Sequence, residues 1–299
     1  MNQKRAALVA IAVVIPISIL AIIFTSTGSS ETAPVKDETT IVASFYPLYE
    51  FTRQVAGDKA KVSSLVPAGI EPHDWEPTAI DVQRASAADL VIINGAGFEA
   101  WAPRIGTSNI IDTSQGMELG ETGTINPHIW LDPVLAKQQV EEIRSALVRV
   151  DPDNGDYYNA NAAKFSAELD SIDSMMASEL VDCSKTDFIA FHDAFAHFAK
   201  RYGLIQHSIH GVSPEGEILP QRVEEVITLA NELGIDVIYA EELVDSRLAE
   251  TIAEEIPDGR VLVLSPIEGI EESEQAQGIG YIEKMKENIA NLKEGLGCT

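Results

Sequence analysis

Short apolar runs and amphipathic stretches alternate along most of the chain. TTIVASFYPLYEF (39–51) reads as a buried strand that opens the fold, and KVSSLVPAG, ADLVIINGAG and NIIDTSQG follow as short apolar runs, each closed by Gly, Pro or Asp. Between them lie helical patterns such as PTAIDVQRASAA. Strand and helix alternating at this spacing predict a parallel sheet covered by helices. From Asp132 the period lengthens: DPVLAKQQVEEIRSALVRV spaces its apolar residues three and four apart, and DPDNGD breaks it. YYNANAAKFSAELDSIDSMMASEL then stays helical for more than twenty residues. DFIAFHDAF, IQHSIHG, DVIYAEE and RVLVLSP return to strand-like runs, interleaved with helices such as LPQRVEEVITLANELG and a closing YIEKMKENIANLKEG. The fold class expected is therefore α/β, with two lobes at 41–150 and 182–299, each a mostly parallel sheet covered by helices. One long helix over 151–181 joins them. A chain of 299 residues, 45% hydrophobic, is long enough to bury two cores.

The first 24 residues follow a different rule. MNQKR precedes an apolar stretch from Ala6 to Phe24 interrupted only by Pro16 and Ser18. Nineteen helical residues rise about 28 Å, close to the roughly 30 Å of a bilayer core. Lys4 and Arg5 place the N-terminus inside, and FTSTGSS lacks a small-x-small cleavage site. Residues 1–24 thus read as an uncleaved anchor with the soluble part outside; the alternative is a cleaved signal and release into a secreted or periplasm-like space. No cysteine follows the apolar run, which excludes a lipid-modified cysteine. Residues 25–40 are small, polar and without periodicity, a linker off the membrane.

A net charge of −26 repels nucleic acid, because phosphate binding requires clustered Lys and Arg. The same field draws cations. Cys183 and Cys298 are the two cysteines, and in an oxidising compartment, with no other thiol available, they are expected to pair. Two cysteines cannot build a closed thiolate zinc site. Any metal must be held by imidazole and carboxylate.

Of the six histidines, His73 (in LVPAGIEPHDWEPT), His128 (in TINPHIWLDP) and His192 (in DFIAFHDAF) share a place at or just after a strand-like run. In open α/β sheets ligands bind beyond the carboxyl ends of the strands, so three imidazoles from separate segments can converge there. Spacing alone is weak evidence for a metal site. His197 reads as a structural histidine, and His207 and His210 as strand neighbours on opposite faces, unsuited to joint chelation.

GIEPHDWEPTAID, NPHIWLDP, FHDAFAHFAKRYGL, VSPEGE and the closing YIEKMKENIANLKEGL, in that order, resemble the zinc and manganese solute-binding proteins of ABC transporters, the cluster A-I (cluster 9) family, over nearly all of 41–297. The resemblance implies two α/β lobes joined by one rigid helix, a metal between them, and delivery to a membrane ABC permease by a monomer that is not an enzyme. It also implies that His73, His128 and His192 are ligands. Imidazole suits zinc, with manganese or iron as alternatives in the same role. Asp74, Glu76, Asp132, Asp193 and Glu241 are candidate acceptors for the outer ring nitrogens.

Family members complete the site with a carboxylate near the last strand, and here the matching run VLVLSPIEG puts Ser265 at that position. The fourth corner is then water, Glu241 or Glu268. YAEELVDSR resembles manganese-type members, which leaves the ion open, and SQGMELGETGTI lacks the histidine-rich loop of many zinc members. Two further readings belong to other classes: a three-histidine zinc hydrolase, for which H-E-x-x-H is missing, and a metal-dependent surface adhesin.

Overall fold

The computed structural model describes residues 38–119, 125–214, 216 and 218–299. The proposed anchor (1–24), almost all of the linker and the middle of SQGMELGETGTI lie outside the described residues. Among those that are described, no helix is long and apolar enough to cross a membrane.

β1 (Thr39–Ala43), α1 (Tyr46–Ala56), β2 (Ala60–Ser64), α2 (Ala79–Ser86), β3 (Leu90–Ile93) and β4 (Ile110–Asp112) come first. The strands pair in parallel in the order β2-β1-β3-β4. α3 (Pro133–Val150) and α4 (Gly155–Glu179) follow. Then come β5 (Asp187–Ala190), α5 (Ala196–Tyr202), β6 (Ile205–Ser208), α6 (Pro220–Leu233), β7 (Val237–Ala240), α7 (Arg247–Glu254), β8 (Arg260–Val263), α8 (Glu272–Ala276) and α9 (Tyr281–Leu296). This second sheet is also parallel, in the order β6-β5-β7-β8. Each sheet thus runs outward from its first strand in both directions. That topology opens a crevice at the carboxyl ends of β1 and β3, and of β5 and β7.

The first apolar run is shorter as a strand than its composition suggests. β1 stops at Ala43 and α1 starts at Tyr46 with Pro47 in its first turn, where proline's missing N–H costs nothing. The break at DPDNGD is real: α3 and α4 are two helices packed on each other. Tyr158 Oη donates to Asp151 Oδ2 at 2.7 Å across the turn between them. α4, 25 residues and about 37 Å long, buries Tyr158, Ala162, Phe165, Leu169, Ile172 and Met176 against α1, α3 and α9. One apolar cluster runs through both sheets' inner sides, with Phe51 against Phe165 and Tyr281. Separate clusters cover the outer face of each sheet, so the central strands β1, β3, β5 and β7 are buried on both faces, as parallel sheets require.

Cys183 and Cys298 are disulfide-bonded. The C-terminal segment is also laced to residues 182–185 by Ser184 N–H to Gly297 O, Lys185 N–H to Leu296 O and Thr299 N–H to Asp182 O.

Candidate metal centre

His192 stands two residues past β5, and Glu241 directly follows β7. Both positions lie at carboxyl strand ends. His73 sits on the irregular segment between β2 and α2. His128 does not follow a strand, as its apolar context suggested: β4 ends at Asp112, and His128 arrives immediately before the single 3-10 turn Ile129–Leu131 that leads into α3.

The structure brings the Nε2 atoms of His73, His128 and His192 together with Glu268 Oε1; all four atoms lie within 4.8 Å of one another. His128 Nε2 is 3.2 Å from His73 Nε2 and 3.1 Å from His192 Nε2. Glu268 Oε1 is 3.1 Å from His73, 3.1 Å from His128 and 3.4 Å from His192. A tetrahedron with zinc–ligand bonds of about 2.0–2.1 Å has edges of about 3.3–3.4 Å. Five of the six edges here are 3.1–3.4 Å, close to that size. His128 and His192 are fully buried, and the His73 side chain is 9% exposed.

The position assigned to Ser265 requires correction. Its Oγ donates to Glu242 Oε1 and accepts from Ile267 N–H, and its N–H donates to Asn288 Oδ1. It is therefore occupied away from the cluster. Two residues later, Ile267 adopts φ +54°, a conformation that β-branched side chains rarely take. Burial of Ile267 and the 2.7 Å bond from Trp130 Nε1 to Pro266 O hold the turn. That turn delivers Glu268. Strain of this kind, of order 1–3 kcal/mol, concentrates at functional sites.

Two of the imidazoles are clamped in the same manner. Glu241 Oε1 accepts from both His192 N–H (3.2 Å) and His192 Nδ1–H (2.7 Å). Asn126 Oδ1 accepts from His128 N–H (3.1 Å) and His128 Nδ1–H (2.7 Å). Glu241 was among the expected acceptors and Asn126 was not, because the expectation was limited to carboxylates. Of the others, Asp132 caps α3 and Glu76 pairs with Arg104, and at Asp193 the main-chain carbonyl accepts from Asn126. Phe98 lies edge-on to His73, with Phe45 and Trp130 behind it, so one wall is apolar. Trp75 packs on Trp101.

Burial pulls the His192 imidazole down, but the Glu268 charge and the hydrogen bond to Glu241 outweigh it and push it up to about 10. His128 goes the other way, held down to about 3 by burial against the pull of Glu268. Burial alone would raise Glu268; the His192 charge and hydrogen bonds from the imidazoles hold it well below the usual carboxylate range. Glu241 is raised, chiefly by burial. Glu268 Oε2 and Glu241 Oε2 are buried without a hydrogen-bond partner among the described residues. Spare acceptor capacity beside inward-facing nitrogens suits a cation. The remaining histidines stay apart: His197 Nε2 donates to Asn126 O, His207 bonds Asp187, and His210, two residues beyond β6, stacks on Phe191.

Comparison with known proteins places the chain among metal-uptake proteins. The family described as "Zinc-uptake complex component A periplasmic" matches residues 41–295. The high-affinity zinc uptake system protein ZnuA of Bacillus subtilis (strain 168) is 37% identical over 282 residues, covering 87% of this chain and 88% of that protein. The zinc-binding protein AdcA of Streptococcus pyogenes serotype M6 is 32% identical over 284 residues, and the match spans 85% of this chain but only 55% of that longer protein. Among solved structures, the Zn(II)-bound ZnuA-like domain of Streptococcus pneumoniae AdcA superposes with a TM-score of 0.78 at 35% identity, covering 87% of this chain and 99% of that one.

Proposed function

Because this chain belongs to the zinc-uptake complex component A family, we propose that it captures zinc outside the cell membrane on His73, His128, His192 and Glu268 and passes it to the permease of an ABC importer. The observation that carries the reading is the set of four converging donor atoms, three imidazole nitrogens and one carboxylate oxygen, spaced close to a zinc tetrahedron. Three nitrogens favour zinc over manganese, which prefers oxygen. Charge supports the same assignment. A dication with the Glu268 carboxylate as ligand and the Glu241 carboxylate behind His192 sums to zero in a buried site, where a net charge is costly.

With Glu268 at the fourth corner, the site keeps no open position for the water that a catalytic zinc requires. The protein carries its ion rather than using it. In this reading residues 41–150 and 182–299 act as lobes about the helix at 151–181, residues 1–24 anchor a monomer to the membrane, and 25–40 span the gap to it.

The test is metal analysis of the protein spanning residues 38–299, purified without added metal, followed by competition among zinc, manganese and iron. One zinc per chain is expected, displaced by neither competitor at equal concentration. Alanine at His73, His128, His192 or Glu268 should each weaken zinc by at least roughly tenfold, with His207→Ala and His210→Ala unchanged. Equal affinity across these variants overturns the assignment.

A further inference from the structure

Asn126 makes contacts that the holding of one ligand does not require. Its side chain has both ends engaged with backbone groups whose roles are unambiguous. The His128 N–H can only donate, so the atom 3.1 Å from it is the amide oxygen. The Asp193 carbonyl can only accept, so the atom 2.6 Å from it is the amide nitrogen. The orientation of the amide is thereby fixed from both sides. An amide oxygen cannot donate, so His128 Nδ1, 2.7 Å away, carries the ring proton. The Nε2 lone pair of His128 is left pointing into the cluster.

The other end of this side chain belongs to a different ligand. Asp193 directly follows His192, and its N–H is held in turn by Gly211 O. Gln206 Nε2 donates to the His192 carbonyl at 2.7 Å, and His197, on α5, donates to the Asn126 carbonyl at 2.8 Å. Asn126 therefore precedes one ligand in sequence and is fastened to the segment that carries another. Its place as the ring acceptor of His128 is matched at His192 by Glu241, but no bond from Glu241 to the His128 segment is seen among the described residues. A neutral amide is the side chain that can accept at one end and donate at the other.

We propose that Asn126 is a positioning residue that couples the orientation of His128 to the position of the His192 segment, so that these two ligands are offered to zinc as one unit. This rests on the reading of the four-residue cluster as the zinc site. Asn126→Asp keeps an acceptor for the His128 ring and removes the donor to Asp193. Asn126→Ala removes both. A supporting group of this kind is worth roughly 10–100-fold in metal affinity.

The experiment is a double-mutant cycle with His192→Ala, reading zinc affinity against a chromophoric chelator. In the otherwise native protein Asn126→Asp is expected to weaken zinc about tenfold. In the His192→Ala background, where no second ligand remains to be coupled, it should cost less than about twofold. Asn126→Ala should cost about a hundredfold and about tenfold in the same two backgrounds. Equal losses in both backgrounds would show that Asn126 only orients His128, and no loss in either would remove it from the site; each result overturns the coupling. Circular dichroism and melting of the metal-free variants identify any that fail to fold, in which case the other substitution decides. Absence of zinc binding by the unsubstituted protein would instead reject the zinc reading itself.

Discussion

At the scale of single residues, the centre is set by which atoms hold protons. His128 keeps its Nδ1 proton on Asn126 and stays neutral, while His192, between Glu268 and Glu241, is pushed up to about 10. At pH 7.5 the metal-free His192 therefore carries a second proton on Nε2, 3.1 Å from the His128 lone pair, and zinc binding at the proposed site must displace it. The raised value stabilises the metal-free fold fully below the ordinary histidine range near 6.5 and less as pH rises through about 10. Zinc affinity runs oppositely, climbing about tenfold per unit from about pH 7 toward about 10. Calorimetry at pH 7.5 in buffers of different ionisation enthalpy should report about one proton released per zinc; none released would place the proton elsewhere. Ser265 supplies a second prediction. Its hydroxyl donates to Glu242 and its N–H bonds Asn288, so Ser265→Asp adds a buried charge facing a carboxylate and no ligand. Manganese and zinc affinities should stay within about threefold, while stability falls by roughly 3 kcal/mol. A gain in manganese binding would mean that this side chain reaches the ion.

At the scale of elements, buried parallel strands announce themselves as continuous apolar runs, so IVA before Ser44, LVII, DFIA and VIYA were legible as strands in the sequence. The helix break at DPDNGD was legible for the same local reason. His73, His128 and His192 could be singled out by context, but the placing of Glu268 rather than Ser265 beside them could not: it depends on a positive φ at Ile267, which residue type does not encode. Asn126 was open to view beside His128, yet its bond to Asp193 joins segments 67 residues apart. Asp132 is the element-scale counterpart. It caps α3 by accepting from Val134 and Leu135 N–H, and its Oδ1 also takes Arg201 Nε of α5 at 2.5 Å. Asp132→Ala loses a cap of about 1 kcal/mol and a charged hydrogen bond of about 1.5–3 kcal/mol. Asp132→Asn keeps the cap. At about 2 °C per kcal/mol in a chain of this size, melting should fall by about 5–8 °C for Ala and by about half that for Asn. No shift for Asn would show that the pairing with Arg201 adds nothing, and equal shifts would show the same of the cap.

Over the whole molecule, the disulfide acts on the unfolded chain more than on the site. Cys183 and Cys298 are 115 residues apart in sequence, so the bond encloses β5 to α9, including His192, Glu241 and Glu268 but not His73 or His128. Closing a loop of that order removes up to about 4–5 kcal/mol of chain entropy from the unfolded state, with about 2–4 kcal/mol typical in practice. In the folded protein the same ends are already joined by the backbone bonds between 182–185 and 296–299, and neither cysteine is among the cluster residues. Substituting both by serine should therefore lower the unfolding free energy by about 3 kcal/mol while zinc affinity stays within about threefold. The denaturant slope discriminates the cause: releasing the loop lets the unfolded chain expose more surface, so the slope must rise as the midpoint falls. A lower midpoint at constant slope would locate the loss in the folded state. A tenfold loss of zinc affinity would mean that the bond holds the second half of the ligand set in place.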